Sequence, residues 1–155
     1  MSYDKKFLAL KDLPPLPTVP KGANFIQYTI TGKLLTLSGY GPLNGSIIPS
    51  EYQGKLGQEL TVKQGYEAAR LTAVNLLLIT RSAIKSLDNV DHIMNVEGYV
   101  NSTDDFTDQP SVINGCSDLL VEIFGKHGQH TRSAIGTNTL AFGISVEIGM
   151  SLMIK

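Results

Sequence analysis

The sequence predicts an α+β fold, a single sheet with two helices packed on one face. Three observations carry that prediction. Two long segments repeat apolar residues at helical intervals, from Tyr66 to Ile84 and from Val112 to Phe124. The shorter apolar stretches around them read as strands, in the order strand, strand, helix, strand, helix, strand, strand. At 155 residues the chain suits one ordinary domain and is too short for two.

Residues 1–21 form a proline-rich arm ahead of a domain spanning 22–155. Pro14, Pro15, Pro17 and Pro20 block both helix and sheet ladders, so Leu13 to Pro20 is expected to run extended over the surface. The first hairpin follows. Phe25 to Thr31 and Leu34 to Leu37 are joined by Gly32-Lys33, and glycine at the first central position suits a type II′ turn. Residues 40–60 are rich in glycine, proline and polar side chains, and a connection this long in a small domain often carries function.

The first long helix begins at Thr61, which has capping-box spacing to Gln64. Tyr66, Ala69, Ala73, Leu76, Leu77, Thr80 and Ile84 give it one buried face, and Asp88-Asn89 breaks the pattern. Ile93 to Val100 reads as a strand, with Met94, Val96 and Val100 on one side and Ile93 and Tyr99 on the other. A sheet apolar on both faces, with helices for only one, argues for association with further subunits. Asp104 to Asp108 forms a polar turn that supplies caps for the second helix. Pro110 and Gly125 punctuate that helix, and Val112, Ile113, Cys116, Leu119, Leu120, Ile123 and Phe124 line its inner face. The closing strands are Ser133 to Gly136 and Ile144 to Ile154, with Thr137 to Gly143 turning the chain back.

Composition narrows the function classes. With 42% hydrophobic and 17% charged residues the chain reads as a compact soluble protein, and so weakly charged a surface often means cover by copies of itself. A net charge of -1 and a pI near 6.3 give no electrostatic footprint for nucleic acid. A single cysteine, Cys116, excludes an internal disulfide and fits a reducing cytoplasm. The apolar run Phe7 to Leu10 is too brief for a signal-peptide core, and Leu76 to Ile79 is too short to span a bilayer. The expected compartment is cytoplasmic, with no membrane partner.

The chemistry is concentrated in the last quarter. Arg132 stands among strand-forming residues, and a guanidinium there is costly to bury unless an anion meets it. Its fork suits a carboxylate held by two parallel hydrogen bonds. Glu147 is either its structural partner across a hairpin, which periodicity alone favours, or the group that orients a water beside a ligand held by Arg132. His127 and His130 flank Gly128-Gln129 without a third ligand at sensible spacing, which favours a solvated turn over a metal site. Cys116 falls on an inner helical face, where it behaves as a small hydrophobe. Tyr40 and Tyr52 either line a cleft or sit at the surface. Gly54 and Gly57 lack the preceding strand and following lysine-serine pair of a phosphate loop.

Several of these residues resemble the RidA family, also called YjgF or endoribonuclease L-PSP. The carriers are Ala23-Asn24-Phe25, Gly32-Lys33-Leu34-Leu35, Ser38-Gly39-Tyr40-Gly41-Pro42, Val100 with Phe106, Asn114, Arg132, and Val146-Glu147-Ile148. The resemblance covers about residues 22–154 and points to a longer, divergent branch. It implies a chorismate-mutase-like fold, a homotrimer, and small-molecule clefts between adjacent subunits. It further implies hydrolysis of enamines and imines such as 2-aminoacrylate to 2-keto acids and ammonia, with no metal or organic cofactor.

Carried over by that resemblance, Arg132 clamps the substrate carboxylate and Glu147 lies near the attacking water. Ser38, Gly39 and Tyr40 fall on the cleft wall, and Asn114 matches a cleft-lining polar residue. Phe25 stands where the family often has tyrosine, and Ala134 where deaminase members commonly carry cysteine. A carboxylate-binding regulatory protein is the second reading and a ribonuclease the third.

Overall fold

The computed structural model describes residues 2–155. In chain order the elements are α1 (Tyr3–Leu8), β1 (Tyr28–Thr31), β2 (Leu34–Tyr40), α2 (Val62–Ile84), β3 (Val90–Asn101), α3 (Gln109–Phe124), β4 (Thr131–Thr137) and β5 (Val146–Ile154), with short 3-10 turns between some of them. One five-stranded sheet runs in the order β1-β2-β5-β3-β4. Only β3 and β4 pair parallel. This is the α+β arrangement the sequence predicts. No helix among the described residues is long and apolar enough to cross a membrane.

Local chemistry explains the two long helices. At the start of α2, Thr61 Oγ1 accepts from the Gln64 N–H at 3.2 Å and the Gln64 side chain accepts from the Thr61 N–H at 2.9 Å, a complete capping box. Pro110 opens α3, where a missing N–H costs nothing, and Gly125 ends it at φ 59°. Asp108 sits at the cap position of α3, but its carboxylate accepts from the Ser111 hydroxyl rather than from a backbone N–H. The expected acidic cap is therefore absent. Within the hairpin, Gly32 has φ +60° while Lys33 stays at negative φ, as a type II′ turn requires.

Both helices lie on one sheet face, over Leu35, Leu37, Val96, Val100, Ile148 and Leu152, all 5% exposed or less. They approach each other closely at Gly115, where an added Cβ would stand 2.0 Å from the Tyr66 carbonyl oxygen. The seven inner-face residues expected of α3 are all buried.

Three features depart from expectation. First, β4 and β5 do not form a hairpin: β5 inserts between β2 and β3, and the 137–143 connection crosses over β3 to reach it. Second, a register shift between Ile93 and Asn95 turns Ile93 onto the helix side opposite Leu152, leaving Met94 39% exposed. The open face of β3 is thus Asn95, Glu97 and Tyr99, and β5 adds Glu147, Gly149, Ser151 and Met153. This face mixes polar side chains with Tyr99, Met153 and the exposed Ile135 of β4, so it is less apolar than the sequence suggests.

Third, the chain before the prolines is helical and docked. Phe7 of α1 is fully buried. The Asp88 carboxylate accepts from the Tyr3 N–H at 2.7 Å, while Asp4 accepts from the Leu87 N–H and pairs with Arg81 at 2.9 Å. Residues 13–20 carry no regular structure, in keeping with an extended arm. The 41–60 segment is stitched to the sheet ends, its Leu56 N–H donating to the Asn101 carbonyl and its Gly54 N–H to that of Gly143.

Candidate functional site

At one end of the sheet, the 41–60 segment, the arm and the approach to β5 enclose a cleft of about 550 Å³. Its walls include Phe25, Tyr40, Leu43, Ile48, Phe142 and Glu147, and Glu147 is its only carboxylate. A β-bulge between Leu37 and Tyr40 builds this wall. It turns Tyr40 into the core and sets Gly39 over Glu147, so close that a Cβ on Gly39 would come within 3.2 Å of the Glu147 side chain.

Hydrogen bonds hold the rim. The Ser38 hydroxyl donates to the Ile26 carbonyl at 2.6 Å, fixing the segment that carries Phe25. Gln27 Nε2 donates to the Tyr40 hydroxyl and to the Pro17 carbonyl, tying the arm to the cleft. Phe142 stands 81% exposed at φ 59°, a left-handed conformation that costs a non-glycine residue roughly 1–3 kcal/mol. Its carbonyl is held by Gln53 Nε2. Tyr52 lines a different cleft, of about 310 Å³, between the arm and α2.

A second cluster lies on the opposite edge. Arg132 sits on β4 beside Val96, on the helix side of the sheet. Its Nη1 donates to Asn114 Oδ1 at 2.8 Å and to Ser117 Oγ at 3.1 Å, both on α3. Among the described residues nothing bonds its Nε or Nη2, which leaves one edge of the fork free for an anion. Ala134 follows on the same face of β4 and packs against the core.

The sequence-predicted residues therefore fall into two groups. Phe25, Gly39, Tyr40 and Glu147 come together, with Ser38 supporting them from behind. Asn114 and Arg132 come together, with Ala134 beside them. The groups do not meet within one chain. Glu147 pairs in register with Tyr99 on the open face, whereas Arg132 pairs with Val96 on the helix face. The ion pair expected across a hairpin is absent, because the hairpin itself is absent.

Two residues of the Arg132 edge escaped the sequence reading. His130 is half-buried rather than solvated: its Nε2 lies 2.9 Å from Ser117 Oγ and its Nδ1 2.6 Å from the Gly128 carbonyl oxygen. Burial is the main reason its pKa falls below the ordinary 6.5; Arg132 pushes the same way, against the Gly128 hydrogen bond. The available signal was Ser117 at one turn's spacing from Asn114. His127 instead bonds the Asp91 carbonyl. Cys116 is buried, and burial pushes its thiol up to about 12, so it stays protonated. Among the described residues no three His, Cys, Asp or Glu side chains converge.

A family model described as "YjgF/chorismate mutase-like, putative endoribonuclease" matches residues 9–147. The chain belongs to the YjgF/RidA family. The protein TCP17 of Trypanosoma cruzi is 37% identical over 126 residues, 81% of this chain and 78% of that one. The crystal structure of Atu1372 from Agrobacterium tumefaciens, a protein of unknown function, is 32% identical with a TM-score of 0.89, covering 99% of this chain and 92% of that one. A "putative endoribonuclease" from Shewanella oneidensis is 29% identical with a TM-score of 0.90, covering 99% and 100%. The mixed sheet and paired helices are those of the YjgF fold.

Proposed function

We propose that the protein is an enamine/imine deaminase that hydrolyses 2-aminoacrylate-type imines to 2-keto acids and ammonia, at clefts between the subunits of a homotrimer. One observation carries the reading. The free edge of the Arg132 fork and the Glu147 carboxylate lie on opposite faces of one sheet, so a small substrate touching both needs Arg132 from one chain and Glu147 from its neighbour. The exposed Phe25, Ile26, Ile47 and Phe142 at and around the mouth of the cleft support contact with a second copy there.

The chemistry asks little of the protein. An imine is already a strong electrophile, so the site must hold the carboxylate, place a water and move a proton. The Arg132 donors hold the carboxylate in parallel hydrogen bonds. Glu147 orients the water that attacks the imine carbon, takes its proton and passes it to the nitrogen, and the resulting carbinolamine expels ammonia. The apolar wall excludes competing water.

Ala134 favours a second reading, a non-enzymatic regulatory protein that binds small carboxylates, because it supplies no side chain to touch substrate or water. The ribonuclease reading finds least support in a chain of net charge -1. Ammonia release from 2-aminoacrylate generated in situ decides between enzyme and sensor. The expected result is acceleration over buffer that Arg132→Ala reduces by about 100-fold or more, since orientation is most of what the site provides. Pyruvate binding without acceleration would leave the sensor.

A further inference from the structure

Serine and threonine inside a helix usually return their hydroxyl proton to the carbonyl one turn back. Thr72 and Thr80 of α2 do so, donating to Ala68 and Leu76 at 2.8 Å each. Ser117 of α3 does not. Its hydroxyl is shared between Arg132 Nη1 at 3.1 Å and His130 Nε2 at 2.9 Å.

The directions of these bonds follow from their partners. A carbonyl oxygen only accepts, so the 2.6 Å contact to Gly128 puts a proton on His130 Nδ1. In the neutral ring Nε2 is then a bare lone pair aimed at Ser117. Arg132 is a donor only, so Ser117 accepts from it and gives its own proton toward His130. A nucleophile, a base within hydrogen-bond reach and a group that orients the base are all present. A guanidinium N–H stands 3.1 Å from the nucleophilic oxygen. Ser117 and His130 are both half-buried, so the group is partly desolvated yet open to solvent.

We propose that Ser117 is a base-activated nucleophile and that this edge performs acyl transfer on small esters carrying a carboxylate. The activity stands apart from imine hydrolysis and does not require Glu147. Ser117 Oγ bonds to the acyl carbon while its proton moves to His130 Nε2. The tetrahedral oxyanion takes over the Arg132 Nη1 hydrogen that Ser117 Oγ accepted before it was acylated. The ester C–O bond then breaks, and the departing alkoxide takes the proton from the His130 imidazolium. Water attacks the acyl-serine, giving one proton to His130, which returns it to Ser117 Oγ. The balance is ester plus water to acid plus alcohol. The free Nε and Nη2 of Arg132 select the carboxylate-bearing acyl group.

The test uses the full chain with two chromogenic esters, 4-nitrophenyl acetate and 4-nitrophenyl hydrogen succinate. A burst of 4-nitrophenolate is expected, faster with the succinate, with the acyl group mapped to Ser117 by peptide mass spectrometry. Ser117→Ala abolishes the burst. His130→Gln keeps an acceptor for the hydroxyl but removes the base, and slows the burst by about 100-fold at unchanged melting temperature. The wild-type burst rate rises with pH to a midpoint below 6.5, where His130 becomes neutral. Arg132→Lys erases the preference for the succinate. Acylation of lysines alone, or equal burst rates in the parent and Ser117→Ala, overturns the proposal. So does a His130→Gln variant that loses melting temperature while keeping the parent's burst rate, which marks the pair as a structural tie between β4 and α3.

Discussion

The Glu147 cleft and the Arg132 edge are built from opposite materials. The cleft is largely apolar, with one carboxylate among aromatic and aliphatic walls and a backbone bulge that makes room for it. The edge is a chain of hydrogen bonds, Arg132 to Ser117 to His130 to Gly128, around one cation. An apolar wall can exclude water and shape a side chain but cannot hold an anion. A cation edge can hold an anion but cannot enclose it. On the proposed function, the two clusters are complementary halves carried on opposite sides of one sheet.

The sharpest way to break this comparison is to mix variants. Arg132→Ala and Glu147→Gln chains are each expected to lose about 100-fold in imine hydrolysis. Refolded together in equal amounts, they should recover activity at about a quarter of sites, because a cyclic assembly then brings intact halves together by chance. Activity no better than either variant alone would mean that the two halves never share a substrate.

Ligand binding should divide along the same line. Pyruvate affinity is expected to fall by about 10- to 100-fold in Arg132→Ala, the loss of roughly 1.5–3 kcal/mol from a charge-assisted contact. In Glu147→Gln it should hold or rise slightly as a nearby negative charge disappears. Calorimetry with both variants checks this, and equal affinities would remove the clamp.

Gly39→Ala probes the cleft alone. Its Cβ would stand 3.2 Å from Glu147, which must shift by a few tenths of an ångström. Since a misplacement of about 1 Å can cost about 100-fold, turnover should fall about fourfold with keto-acid affinity unchanged.

The smallest effect lies outside both regions. Burial raises the Asp4 pKa, but hydrogen bonds from Arg81 and Leu87 outweigh it and hold the carboxyl below its ordinary 3.8. Its stabilisation is therefore complete above that value and is lost as pH falls through the depressed folded pKa. Asp4→Asn should lower the melting temperature by about 2–4 °C at pH 7, for a pair worth about 1 kcal/mol. Scans at falling pH should show the gap to the parent narrowing below about pH 4.

What was legible in the sequence was what is local. Thr61 with Gln64, and Pro110 with Gly125, mark helix ends because a cap is satisfied within one turn. The apolar faces of α2 and α3 follow from period alone. What was not legible depends on distant partners. Nothing near Val146 says that its strand will lie between β2 and β3, so Glu147 and Arg132 looked like neighbours across a turn. The bulge at Met94 reverses the face of Ile93, and one inserted residue leaves no mark in an apolar run. His130 looked solvated because its loop is polar, yet Ser117 meets it from a helix packed above. The residues of each cluster could be named, Ser117 and His130 apart; the separation of the clusters could not.

The position of β5 has a consequence for how the chain is made. Its Leu152 lies between Leu35 of β2 and Ile93 of β3, so the fifth strand in chain order is the one at the middle. Until it emerges, β2 and β3 each present an unpaired inner edge, and neither helix has a complete floor to pack on. Such non-local closure is slow and leaves strand edges exposed while it waits. A nascent chain stalled before residue 146 should be held by chaperones and cut readily by protease. One released after residue 154 should become resistant in a single step, with no protected hairpin-and-helix intermediate preceding it.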